Sequence, residues 1–94
     1  MAAYWIARVT VTDPDTYKLY AEAAPEAFKQ YNARILARGG RHEAMEGEAR
    51  PRNVVIEFDS LAQAEACYNS PEYQAAREHR TGAGEVEIVI VEGV

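Results

Sequence analysis

Cysteine is nearly missing from this 94-residue chain, and histidine occurs only twice. The single thiol, Cys67, excludes an intrachain disulfide and a zinc site built from several thiolates, and it fits a reducing cytosol. Basic residues are also scarce, since ten Lys and Arg stand against fifteen Asp and Glu and leave a formal net charge of -5. Because an acidic surface repels phosphate groups, we expect neither a nucleic-acid partner nor a membrane partner.

Long hydrophobic runs are absent as well. The opening MAAYWIARV has no basic leader and its apolar run stops at Arg8, so we expect no export signal, no membrane-spanning helix and a cytoplasmic location. A hydrophobic content of 48% over this length instead predicts one globular domain that spans residues 1–94. Such a short chain buries only about 60 to 65% of its unfolded surface by folding, so its size favours a homodimer.

The first strand is predicted at residues 3–11, where apolar and mixed positions alternate. Its apolar face consists of Trp5, Ala7, Val9 and Val11. Its mixed face consists of Tyr4, Ile6, Arg8 and Thr10. We expect the apolar face to lie against helices and the mixed face to point away from them.

A helix is predicted from Asp13, whose carboxylate can accept from the first free amides, to about residue 37. Its apolar residues follow steps of three and four, with tyrosines among them, which favours packing against a sheet. Pro25 is expected to kink or split this helix. Gly39 and Gly40 then provide its left-handed exit.

The remaining chain alternates between strand and helix patterns. Strands are predicted at residues 41–47, 52–58 and 86–92, and short helices at 61–69 and 71–81. The two short helices are divided at Asn69-Ser70-Pro71, because Asn ends helices, Ser caps them and Pro suits the first helical position. We interpret this break as helix punctuation and not as the edge of an active site.

The resulting order, β-α-β-β-α-β, predicts an α+β fold of the ferredoxin-like type, with a four-stranded antiparallel sheet and the helices on one face. The other sheet face is then uncovered and carries Tyr4, Ile6 and Val55. Because a face this apolar is unfavourable in water, we expect it to pack against a second copy of the chain.

Three stretches, AYWIARVTVTDPDTYKLYA, ARILARGGRHEAMEGEARPRNVVIEFDS and CYNSPEYQAAR, resemble the corresponding parts of the family catalogued as domain of unknown function 1330, DUF1330. The resemblance covers nearly the whole chain. It implies a dimeric α+β barrel, in which two ferredoxin-like units pack sheet against sheet and enclose a cavity in each half. It implies no reaction, because no activity is established for that family.

Arg8 is the first candidate for ligand binding, because a cation in the middle of a strand needs a carboxylate, a carbonyl cluster or an acidic ligand. Glu57 on the third strand is its nearest candidate partner, and Tyr4 shares its face. Two interpretations stay open: a structural Arg8–Glu57 pair, or an Arg8 that anchors a ligand at the cavity wall.

His42, on the second predicted strand, and His79, near the end of the last helix, are weaker candidates. No carboxylate or second histidine is spaced to form a metal site or a proton relay with either of them, so we expect no metal and no cofactor. Solvated or capping roles are the simpler interpretation. The resemblance to the wider barrel superfamily, in which haem-degrading members use a histidine on the second helix, keeps His79 in consideration.

Three functions remain open. The favoured one is a cytosolic homodimer that binds a small anionic or aromatic molecule in a cavity on the open sheet face, with Arg8 as anchor and Tyr4 as wall. The second, which the resemblance implies, is a cofactor-independent oxygenase or isomerase acting on activated aromatic substrates. Its base would have to be Glu57 or a histidine. The third is a purely structural or interaction module.

Overall fold

A four-stranded antiparallel sheet carries three helices on one face in the computed structural model, which describes residues 1–94. The elements are β1 (Ala3–Val11), α1 (Pro14–Gln30), β2 (Arg34–Arg38), β3 (Arg52–Phe58), α2 (Leu61–Tyr68), α3 (Pro71–Glu78) and β4 (Gly84–Glu92). The strands lie in the order β2-β3-β1-β4. This is the predicted ferredoxin-like arrangement, with α2 and α3 in the place of the second helix. None of the helices combines the length and apolar character needed to cross a membrane.

The core forms where the apolar face of β1 meets all three helices. Trp5 is at its centre, and its ring lies 5.2 Å from the ring of Phe28 on α1, 5.7 Å from Tyr68 on α2 and 4.9 Å from Tyr73 on α3. The Tyr73 hydroxyl lies 2.9 Å from that of Tyr20. Edge-to-face and tilted contacts of this kind add to the burial energy of the aromatic rings.

The helix starts follow the predicted capping. Asp13 Oδ1 accepts from the Thr16 amide at 3.2 Å and caps α1. Ser60 and Ser70 cap α2 and α3 in the same way, each accepting at 3.1 Å from the amide three residues on. The interpretation of Asn69-Ser70-Pro71 as helix punctuation is therefore confirmed, but Asn69 does not take the left-handed exit expected of it, since its φ is -85°. Pro25 lies inside α1 without splitting it.

The predicted end of the first helix near residue 37 is wrong, because α1 ends at Gln30. Asn32 takes a left-handed conformation, with φ at 56°, and the Ala33 amide donates back to the Phe28 carbonyl at 3.1 Å. Asn tolerates this conformation better than most residues, so the chain can reverse there. The following residues, Arg34–Arg38, then pair as β2 with the edge of β3.

The predicted strand at 41–47 is also wrong. Residues 39–51 form an irregular connection between β2 and β3, and all but Arg50 are exposed. Gly39 therefore ends a strand and not a helix, although its left-handed φ of 66° was correctly expected of a glycine. Two further boundaries shift slightly, since α3 ends at Glu78 and β4 begins at Gly84.

Candidate functional site

The open face, meaning the sheet side that no helix covers, carries the β1 candidates as the strand alternation predicted. One row of apolar side chains crosses its middle from β2 to β4. This apolar row consists of Ala37, Val55, Ile6 and Val89. Charged side chains lie on both sides of it, in two groups that we call the Tyr4 end and the Arg8 end.

The Tyr4 end contains Tyr4, Arg34, Glu57 and Asp59. Tyr4 and Glu57 are direct neighbours across the β1–β3 pair, with the Tyr4 hydroxyl 3.4 Å from a carboxylate oxygen. Arg34 on β2 donates to Glu57 at 2.8 Å and approaches Asp59 at 3.0 Å. Hydrogen bonds from Asn32 and Arg34 hold the pKa of Asp59 below its usual range. The structure thus brings two of the predicted candidates, Tyr4 and Glu57, together. Arg34 is the cation that pairs with Glu57.

The Arg8 end contains Arg8, Arg50, Glu85 and Glu87. Arg8 lies opposite Asn53 on β3 and Glu87 on β4, and its guanidinium donates to the Glu48 carbonyl at 3.0 Å. The predicted Arg8–Glu57 pair is therefore not formed. Glu57 lies opposite Tyr4, four residues along β1 from Arg8, which at strand rise is a separation of about 13 Å.

Arg50, which the sequence analysis missed, organises the acids of the Arg8 end. Its guanidinium contacts Glu87, lies 3.1 Å from Glu85 and donates to the Thr10 hydroxyl at 3.0 Å. The hydrogen bond from Arg50 lowers the pKa of Glu87. The alternating glutamates of β4 hinted at a cation on this face, but only the course of the 39–51 connection shows which arginine it is.

Arg8 separates two depressions on the open face. The first, of about 310 Å³, is polar and includes Thr10, Arg50 and Glu85 in its wall. The second, of about 280 Å³, is partly apolar and includes Ile6 and Val89. A small molecule in either depression would lie beside Arg8.

Both histidines lie away from this region. His42 is exposed in the irregular connection, with Nδ1 3.3 Å from the Gly40 carbonyl, and not on a strand as predicted. His79 is exposed at the C-terminal cap of α3. No group of three or more His, Cys, Asp and Glu side chains is placed to hold a metal ion. Burial raises the pKa of the Cys67 thiol to about 12, so this cysteine packs as a small core residue.

A family of sequences described as "domain of unknown function (DUF1330)" matches residues 2–94. The chain belongs to the DUF1330 family. The resemblance noted from the sequence is thereby confirmed over almost the whole length. No curated protein sequence matches the chain.

Solved structures share the fold at low sequence identity. A protein of unknown function from Rhodopseudomonas palustris superposes with a TM-score of 0.81 at 15% identity, over 99% of this chain and 82% of that one. A dimeric ferredoxin-like protein of unknown function from Jannaschia sp. CCS1 gives 0.72 at 14%, over 99% and 100%. SnoaB, a cofactor-independent oxygenase from Streptomyces nogalater, gives 0.64 at 10%, over 99% and 93%.

These neighbours identify the fold of this DUF1330 chain and nothing finer. Several of these neighbours are described as dimeric ferredoxin-like proteins, so this fold occurs in dimers. Since neither the family nor the neighbours assign a ligand, a function has to be argued from the geometry of this chain.

Proposed function

We propose that this protein is a cytosolic homodimer whose protomers pack through their open faces and that binds a small anionic or aromatic molecule beside Arg8. The observation that carries the proposal is the open face itself, where an apolar row crosses the sheet between two charged ends. In one protomer, Val89 is 57% exposed and its neighbour Val91 is 47% exposed. Covering such side chains is favourable by about 25 cal/mol per Å² of apolar surface.

The shape of the protomer supports a sheet-to-sheet dimer. The chain measures 33 × 32 × 16 Å, so it has one helix layer and one sheet layer and nothing behind the sheet. Only 16 of its 94 residues are buried, which is a small core for independent stability. The existence of dimers among the solved neighbours agrees with a second layer supplied by another copy.

The charges favour one relative orientation of the two protomers. The Tyr4 end has two carboxylates, Glu57 and Asp59, and one cation, Arg34. The Arg8 end has two carboxylates and two cations. Stacking two Tyr4 ends would bring excess carboxylates together, which is unfavourable at short range. In the proposed dimer the Tyr4 end of one protomer therefore lies over the Arg8 end of its partner. Tyr4 and Glu57 then line the far wall of a cavity that Arg8 anchors.

The bonding of Arg8 supports its role as the anchor. Arg50 already engages both Glu85 and Glu87, and the only hydrogen bond from the Arg8 side chain is to a backbone carbonyl. Its planar guanidinium can bind a carboxylate through two parallel hydrogen bonds. A second sheet above it would exclude water and strengthen those bonds.

Light scattering tests the dimer. The wild type should give twice the mass of one chain at micromolar concentration. Val89→Glu inserts a charge into the apolar row and should give monomers, because two such charges would meet near the interface. Ala75→Glu adds the same charge to an exposed position on α3 and should remain dimeric. A dimeric Val89→Glu, or a monomeric wild type, would reject the sheet interface.

Thermal unfolding tests the ligand. Small aromatic and aliphatic carboxylates should raise the melting temperature of the wild type, because a ligand that binds the folded state stabilises it. Arg8→Met keeps most of the apolar stem and should remove the part of the rise that comes from binding on the open face. The matched control is Arg41→Met, which removes an exposed arginine from the 39–51 connection and should keep it. If no carboxylate in a broad panel shifts the wild type, the proposal fails.

The cofactor-independent enzyme stays a prediction. SnoaB shares the fold, but an identity of 10% transfers no activity to this chain. Oxygen consumption in the presence of electron-rich phenols would reveal such an activity, and a rate equal to that of heat-denatured protein would exclude it for those substrates.

A further inference from the structure

Two arginines on the helix side of the sheet have no acidic partner. Arg52 on β3 and Arg80 after α3 each have a buried Nε without any hydrogen-bond partner. Neither of them takes part in a salt bridge, although acids outnumber bases in the chain. A guanidinium stays charged at any physiological pH, so partial burial without a counterion is unfavourable.

The two guanidinium groups flank a pair of tyrosines. Arg52 Cζ lies 5.9 Å from the centre of the Tyr17 ring, and Arg80 Cζ lies 4.9 Å from that of Tyr20. The two tyrosine rings are 5.4 Å apart. Burial raises the pKa of Tyr17, and both arginines oppose that rise. Cation–π contacts offset part of the cost of burying the guanidiniums, but the buried Nε atoms still lack a hydrogen-bond acceptor.

Below Arg80 there is room for a ligand. A cavity of about 360 Å³ lies between the two short helices and β4. Its floor is apolar and consists of Val86, Ile88 and Ile90. Tyr68 and Glu65 of α2 form one wall, and Arg77 and Arg80 form the other. We call this space the helix-side cavity.

Arg80 is the best-positioned cation in the helix-side cavity. The hydrogen bond that its guanidinium makes is a long one, 3.4 Å, to the Tyr73 hydroxyl. Arg77 adds a second positive charge, and the cavity has only one acid, Glu65. The terminal N–H donors of Arg80 suit the planar, two-oxygen geometry of a carboxylate. The apolar floor suits a hydrocarbon or aromatic body, and the volume lies in the range of small-molecule sites.

We propose that the helix-side cavity binds a small monocarboxylate with an apolar body, whose carboxylate contacts Arg80 and whose body lies on Val86, Ile88 and Ile90. This site is on the opposite face of the sheet from Arg8. It goes beyond the open-face proposal and does not depend on it.

Methyl NMR of isoleucine-labelled protein tests the site, because the isoleucines report on both faces of the sheet. Phenylacetate and octanoate are the probes, with inorganic phosphate as the anion that lacks an apolar body. Phenylacetate or octanoate should shift the methyl signal of Ile90, which lines the helix-side cavity and neither open-face depression. Ile6 reports on the open face. Shifts at Ile6 alone would overturn this proposal and leave the Arg8 site standing, and no shift at any isoleucine would overturn both.

Substitutions separate the carboxylate contact from simple apolar binding. Arg80→Met should weaken the probe affinity at least about tenfold, as expected for the loss of a charged hydrogen bond. Arg8→Met, on the other face, should leave the Ile90 shift unchanged. If Arg80→Met does not fold, Arg77→Met still removes one of the two charges and should weaken binding measurably. Unchanged affinity in a folded Arg80→Met, or equal shifts from phosphate, would overturn the assignment.

Discussion

The Ser70 hydroxyl forms hydrogen bonds with both α2 and α3. Removing this hydroxyl tests how much the junction of the two helices contributes to stability. The side chain is 3% exposed. Its Oγ accepts from the Tyr73 amide at 3.1 Å, which caps α3, and donates to the Cys67 carbonyl at 2.7 Å, which closes the end of α2. Ser70→Ala removes both hydrogen bonds at once and leaves a buried amide without its partner.

The expected cost follows from these two bonds. Loss of an N-cap costs about 0.5 to 2 kcal/mol, and loss of a second buried hydrogen bond costs about 1 kcal/mol. We therefore expect Ser70→Ala to lower the free energy of unfolding by about 1.5 to 3 kcal/mol. Ser60→Ala is the matched control, because Ser60 caps α2 through one bond, to the Gln63 amide at 3.1 Å. It should cost about 1 kcal/mol.

Urea unfolding at a fixed protein concentration measures both costs. The midpoint should fall for each variant while the slope with urea stays constant, since neither change alters the surface exposed by unfolding. In thermal unfolding, each 1 kcal/mol corresponds to about 4 to 8 °C for a domain of this size. Ser70→Ala should also keep the carboxylate-induced shift in melting temperature. The reasoning is refuted if Ser70→Ala costs no more than Ser60→Ala, or if it loses ligand binding while folded.

Three further predictions concern single residues. Burial raises the pKa of Tyr20 in the folded protein. The stability contributed by the protonated Tyr20 is therefore complete below about pH 10 and declines by up to about 1.4 kcal/mol per pH unit above that pH. Constant urea midpoints up to about pH 11.5 would contradict this prediction. Gly39→Ala should cost about 1 to 2 kcal/mol by the same assay, because φ is 66° and the new Cβ would lie 2.6 Å from the Arg52 guanidinium. Gly40→Ala should be neutral, because no atom lies within 4 Å of the Cβ that it would add. Cys67 is fully buried and should react with a thiol reagent only as fast as the protein opens, so immediate labelling of the folded protein would disprove its placement.

Local signals were sufficient for much of the fold. The caps Asp13, Ser60 and Ser70 act within three residues of chain, so they could be predicted from neighbours alone. The alternation of β1 likewise assigned Trp5 to the core and Arg8 to the open face. These features depend on backbone geometry and side-chain chemistry within a few residues, which the sequence states directly.

The segment 31–51 shows where local signals failed. Tyr31 and Ile35 have helical spacing, and that pattern extended the first helix over residues that form β2. The competing signal was Asn32, one of the few residues other than glycine that adopt a left-handed turn without a large cost. Pairing with β3 decided the outcome, because the edge of β3 offers hydrogen bonds that are distant in sequence.

The sequence by itself determined which residues point away from the helices, and hence that Tyr4, Arg8 and Glu57 share the open face. Only the tertiary structure decided which of them meet. The register of β1 with β3 puts Glu57 beside Tyr4, and the neighbouring strand brings Arg34 to it. The tertiary structure likewise brings Arg80 against the Tyr20 ring, although the two residues are far apart in the sequence. Strand register and helix packing depend on the summed contacts of the whole domain, and no short stretch of sequence contains that sum.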